Sequence, residues 1–195
     1  TSRALALAKK TLLAHAIIDA ASIEPPPPPP PPPTLRPGEL PCPDSGNDGQ
    51  ADGGGACTLI GRLPWKTLEL EDLRDAAGER LWYAVSEDFQ DDGDTEPDIN
   101  SMTVFNSLLR ILDASGVEIS TAAAVIIAPG NPLPGQVRSA NDNVAADVIQ
   151  EYLEGTNNDS DDSFTGEPAL SLNDQIVIIT AEELVERATD LAIRQ

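Results

Sequence analysis

Nine consecutive prolines fill residues 25–33, and no other feature of this 195-residue chain limits its fold so sharply. Proline lacks the N–H a helix needs, and its ring collides with the preceding turn. It also pushes the residue before it out of helical geometry. Any helix that precedes residue 25 must therefore stop there. The run predicts a polyproline II rod of about 28 Å, at ~3.1 Å per residue. Residues 25–39 are expected to act as a stiff spacer. Capture by a proline-binding domain is the alternative, with Arg36 as the only flanking basic residue. The chain so divides into residues 1–24, the spacer, and a body of residues 40–195.

Residues 2–22 predict an amphipathic, Ala-rich helix. Leu5, Leu12, Leu13, Ala16, Ile17 and Ala20 recur at helical spacing, while Arg3, Lys9 and Lys10 fall largely elsewhere. The small residues along it let another helix approach closely. The segment opens as though already inside a helix whose beginning is expected upstream of Thr1.

Two cysteines, Cys42 and Cys57, bracket a loop crowded with Asp, Asn and Gly. A lone pair 15 residues apart predicts a disulfide and hence an oxidising compartment. Two reduced thiols are the alternative. Zinc fits less well, because two cysteines and the distant His15 make an incomplete ligand set. Within the loop Asp44, Asp48 and Asp52 recur every fourth residue. That spacing matches the first half of a calcium loop, whose sharp turn a glycine after the third ligand permits. Gly46 stands where a further oxygen ligand is usual, and Gly55 where a bidentate Glu is usual. Asp and Asn in glycine-rich turns also need no metal. Calcium at Asp44, Asp48 and Asp52 is one expectation, a plain stapled turn the other.

The body predicts an α+β fold of four or five mostly antiparallel strands and a closing helix. Strands are expected at residues 79–85, 108–112, 117–120, 122–130 and 174–180. The apolar run at 122–130 reads as a central, fully buried strand. A short helix is expected at 141–154, with Val144, Val148, Ile149 and Leu153 inward, and a polar loop at 155–168. At 180–195 Thr180 and Glu183 have the spacing of a capping box. Leu184, Ala188, Leu191 and Ala192 then form one apolar side.

Composition narrows the function. A formal charge of −21 repels phosphate backbones and anionic lipid headgroups, so nucleic acid is an improbable partner. The single histidine, His15, lies in the opening helix and reads as a surface or interface residue. No nucleophile has a neighbouring base, no G-x-S-x-G occurs, and "APGNPLPG" lacks the lysine and spacing of a phosphate loop. No carboxylate pair stands out in so acidic a chain. The clusters at 91–98 and 159–162 read as solvated loops. Trp65, Trp82 and Tyr83 sit among Leu63, Leu68, Leu81 and Val85 and read as core rather than as a sugar platform.

Four ordered phrases, "GELPCPDSGNDGQADGGGAC", "IGRLPWKTLELEDLRDAAGERLWYAVS", "AAAVIIAPGNPLPGQVR" and "LNDQIVIITAEELVERA", resemble the soluble region of bacterial type IV pilin-like proteins, the pseudopilins and minor pilins. The likeness runs over most of residues 5–195, and the nine-proline run departs from it. It implies a long N-terminal helix with a membrane-embedded first half and an amphipathic second half, here residues 2–22, packed on an antiparallel sheet. It implies a structural subunit of a pilus or secretion pseudopilus rather than an enzyme. The expected partners are other pilin-like subunits, at the periplasmic face of the inner membrane or in an extracellular filament. Membrane contact is expected only through the upstream helix. Calcium in a loop of the globular domain occurs among major pseudopilins, but their ligand positions do not map onto these residues. The competing reading is a secreted, calcium-stabilised module that binds a glycan or a protein.

Overall fold

The computed structural model describes residues 1–21, 38–53, 57–91, 105–138, 149–159, 161–166 and 172–193, with side chains at 18–21 and 188–193 left aside. The proline run, the expected helix core at 141–148 and most of the acidic cluster at 91–98 lie outside these residues.

Helix α1 spans Ser2–Ala21, within a residue of the expected bounds. Strand β1 is Ile60–Arg62 and β2 is Trp82–Val85. Strand β3 is Leu109–Leu112, β4 is Glu118–Ala122 and β5 is Ala124–Ala128. Strand β6 is Ser163–Thr165, β7 is Gln175–Ile179, and helix α2 is Ala181–Ile193. The described strands form two sheets rather than one. The first has the order β1-β2-β5-β7, antiparallel throughout. The second has the order β4-β3-β6, where β3 and β6 run parallel.

Three layers result: helices, four-stranded sheet, three-stranded sheet. The side-chain alternation of a strand explains the order. Leu81, Tyr83 and Val85 join Leu5, Ala8, Leu12, Leu13 and Ala16 of α1 in one core. Trp82 and Ala84 face the other way, into a second core with Leu109, Ile111 and Phe164. β5 divides likewise: Ala124, Ile126 and Ala128 lie under α1, while Val125 and Ile127 lie under the second sheet. All five residues are buried, so Ala124–Ala128 of the apolar run at 122–130 forms the central strand expected there, while Ala122 ends β4.

The chain passes from one sheet to the other through Ala123 alone, whose N–H donates to the Ile179 carbonyl and whose carbonyl accepts from Ser86. Ala122, Ala123 and Ala124 are each fully buried, and larger side chains would force the layers apart there.

Four local expectations need correction. The strand expected at 79–85 begins only at Trp82, because Arg80 makes an isolated bridge to Arg74 instead. The polar loop at 155–168 contains β6, held by pairing to β3 and by burial of Phe164. The end of the expected 141–154 helix is a single 3₁₀ turn, Ile149–Glu151, after which Tyr152 and Leu153 enter the core. The strand count rises because β1 and β6 have three residues each, too short for a periodic signal.

The opening helix lies on the four-stranded sheet, as expected. It packs against β5, β7 and α2 and shares their core. The Gly38 N–H donates to the Ala16 carbonyl at 3.1 Å, so the chain returns to α1 after the proline run.

Candidate functional site

Two features concentrate the expected functional residues: the faces of α1 and the loop closed by Cys42 and Cys57.

Leu5, Leu12, Leu13 and Ala16 are buried and Ile17 is half-buried, as their spacing required. Ala8 completes the stripe at 0% exposure, a helical neighbour of Leu5 and Leu12 that its small size concealed. The outward face carries Arg3, Ala6, Leu7 and Lys10, and Leu7 is an exposed large apolar residue at 40%. Lys9 departs from its expected place on the polar side. Its ammonium donates to the Ile178 carbonyl at 2.8 Å and pairs with Glu183 at 2.7 Å, tying α1 to β7 and α2.

Glu183 is fixed by its own helix as well. The Thr180 N–H donates to Glu183 Oε2, and the Glu183 N–H donates to Thr180 Oγ1. This is the capping box that the sequence spacing called for. Burial opposes ionisation of Glu183, but the Lys9 ammonium and the Thr180 N–H outweigh it and hold the carboxyl below its ordinary range.

Cys42 and Cys57 are joined, with their Cα atoms 5.2 Å apart. Linking residues this far apart in sequence contributes about 3 kcal/mol. Reduction should lower the unfolding free energy by about that amount, read from denaturant curves with and without a reductant.

Inside the loop the aspartates act as local acceptors. Asp44 Oδ2 accepts from Gly49 N–H at 2.6 Å and Oδ1 from Asp48 N–H at 3.3 Å. Asp48 Oδ1 accepts from Gln50 N–H, and both oxygens of Asp52 accept from Ser45 N–H. Such bonds close an Asx-type turn without a cation. Among the described residues, no three His, Cys, Asp or Glu side chains stand together as a ligand set. Asp44 is 2% exposed, and burial outweighs its N–H bonds to hold the carboxyl above its ordinary range.

Glycines shape this loop at two points. Gly49 has φ +88°, and a Cβ there would lie 2.6 Å from the Trp65 ring. A Cβ on Gly61 would lie 2.8 Å from the Asp44 carbonyl, where loop and β1 bridge through Asp44 and Arg62.

Beneath the loop, the buried Arg62 guanidinium sits 4.0 Å from the Trp82 ring and 4.2 Å from the Tyr152 ring. Its Nη1 donates to the Arg80 carbonyl. Trp82 and Tyr83 are thus core residues. The acidic residues at 159–162 are engaged locally: Asp159 accepts from Asp161 N–H and Asp161 from Ser163 N–H, leading into β6.

One further group has no local sequence signal. Glu154 and Asp174 are both buried, at 7% and 1% exposure. Asp174 Oδ2 accepts from Glu154 N–H and from Asn157 Nδ2, while Glu154 accepts from Gln136 Nε2 and Asn173 N–H. Asp174 Oδ1 is buried without a donor. Burial lifts the Asp174 carboxyl from 3.8 to about 7, and the neighbouring Glu154 carboxyl raises it too.

Among the described residues, no helix is long and apolar enough to cross a membrane. Comparison of the chain with protein-family models, with curated proteins and with solved structures finds no match.

Proposed function

We propose that this chain is the globular region of a pilin-like subunit, acting by assembly with other such subunits outside the cytoplasmic membrane rather than by catalysis. One observation carries the reading. A 20-residue helix lies along an antiparallel sheet, burying one stripe and leaving an outward face with Leu7 exposed. The linked Cys42–Cys57 pair supports an oxidising compartment. The resemblance supplies the context, a filament built by helix packing.

Leu7→Asp tests it. Expressed from the natural gene in its own host, the variant should fold and be secreted as the native protein is. It should vanish from the filament fraction and from crosslinks to other pilin-like subunits. Normal incorporation would overturn the assembly role of α1. Recovery of the native protein only as a free monomer that binds glycans, with binding lost in EDTA, would favour the secreted module.

Calcium at Asp44, Asp48 and Asp52 is a separate proposal. With the cation bound there, roughly 1 mM calcium, the range of extracellular sites, should raise the Tm of the oxidised protein, and no change would leave a turn closed by its own hydrogen bonds. A rise abolished by Asp48→Ala would assign the cation to this loop.

A further inference from the structure

A groove of about 770 Å³ lies between α1, the β7 edge and the start of α2. Leu5, Leu13, Ile17 and Val177 make it apolar, and Lys10 and Arg187 stand on its walls. β7 is an outer strand of its sheet. Its Ile179 carbonyl is bonded toward Ala123, on the β5 side, so the alternate residues Ile176 and Ile178 turn their backbone groups outward. Lys9 occupies the Ile178 carbonyl, and Ile176 lines the groove. Among the described residues no strand pairs with this edge beyond the Lys9 contact, and an edge beside an apolar trough is suited to an added strand.

The same molecule carries a matching projection. β3 and β4 form a hairpin, and β4 is the outer strand of the second sheet. Val117 and Ile119 there are 58% and 59% exposed. The register slips so that Leu112 faces Glu118 and Ile111 faces Ser120, which leaves Ile119 as an extra, outward residue. Asp113 makes this tip acidic, while Glu118 is paired with Arg110 at 3.1 Å. The groove, by contrast, is lined by Lys9, Lys10 and Arg187 against one carboxylate, Glu183, on a chain of net charge −21.

We propose that the β3–β4 hairpin of one copy seats Val117 and Ile119 in the α1–β7 groove of a second copy, with Asp113 toward Lys10 and Arg187. Groove and hairpin are different surfaces, so the contact is head-to-tail and can repeat from copy to copy. The proposal deepens the assembly reading by naming a contact between globular bodies, and it rests on that reading for its biological setting.

Sedimentation velocity of the oxidised chain tests it, at ~0.15 M salt to screen repulsion between the acidic bodies. The native chain should associate increasingly with concentration. Ile119→Asp on the hairpin should weaken association more than about tenfold. Ala14→Trp, which fills the groove, and Lys10→Glu, an exposed charge reversal on its wall, should each do the same. An equimolar mixture of Ile119→Asp and Ala14→Trp retains one intact groove and one intact hairpin, and should form pairs that grow no further. A native chain that stays monomeric overturns the proposal. So does an Ile119→Asp chain that associates normally, which would give the groove to another occupant. Failure here leaves the Leu7→Asp filament result untouched, and failure of Leu7→Asp leaves this association untouched.

Discussion

Asp174→Asn should make the protein more stable at pH 8 and flatten the dependence of its stability on pH. In the unfolded chain this carboxyl loses its proton near 3.8, and in the fold near 7. Between those values the native state holds the extra proton, so its contribution is complete below the unfolded value and is lost as pH rises through the folded one. Each unit of separation corresponds to about 1.4 kcal/mol, which puts ionising Asp174 in place at on the order of 4 kcal/mol by pH 8. Asparagine keeps an oxygen for Glu154 N–H and Asn157 Nδ2, the two bonds Oδ2 now accepts. Its amide can donate to the Glu154 carboxylate, which removes the repulsion between the two carboxyls. The gain at pH 8 should be roughly 1–3 kcal/mol, shrinking toward zero near pH 4. Parallel urea titrations of both proteins across that range measure it, and their difference cancels the titration of the many exposed carboxylates. Equal destabilisation at pH 4 and pH 8 would mean that Asp174 serves the fold as an anion.

Why the sequence concealed this pair is a matter of distance along the chain. Glu154 and Asp174 are 20 residues apart, and each alone looks like one of 33 acidic residues. The Lys9–Glu183 bond has the same character, joining residues 174 apart. Sequence patterns report what a residue does with neighbours a few positions away. The capping box at Thr180 and Glu183 was legible for that reason, and so was α1, whose stripe is set by helical spacing. β5 was legible through a different signal: a run of apolar residues has nowhere to go but a fully buried strand. Cys42 and Cys57 were legible by count. β6 was not, since Ser163–Thr165 has one large apolar residue and owes its conformation to β3. The second sheet stayed hidden with it. On α1 the sequence marked which residues are buried but not that Lys9 would be drawn to the edge of β7. The β3–β4 hairpin was legible as two short strands around a turn, whereas the groove belongs to tertiary structure alone.

Arg138→Ala should cost about 3–5 kcal/mol, as much as the loss of a buried ion-pair partner. Its side chain is 5% exposed, and its donors reach three turns at once. Nη1 donates to the Gly130 carbonyl at 2.6 Å, Nε to Glu151 at 3.1 Å and Nη2 to Tyr152 at 3.1 Å. The Glu79 carboxylate lies 3.4 Å from Nη1, and the guanidinium sits 5.2 Å from the Tyr152 ring. Alanine leaves those carbonyls without a donor and Glu79 without its cation, and a stranded buried acceptor costs more than its hydrogen bond contributed. Arg138→Lys should recover less than half of the loss, because an ammonium cannot present a planar fork to carbonyls on different turns. Arg110→Ala supplies the contrast. Arg110 pairs with Glu118 at 3.1 Å, but both side chains are 47% exposed, so its removal should cost under about 1 kcal/mol. Urea midpoints at constant m-value give all three numbers. Should Arg138→Ala fall as low as Arg110→Ala, the turns after β5 and before β6 would be held by packing, and Arg138 would be a passenger in its own network.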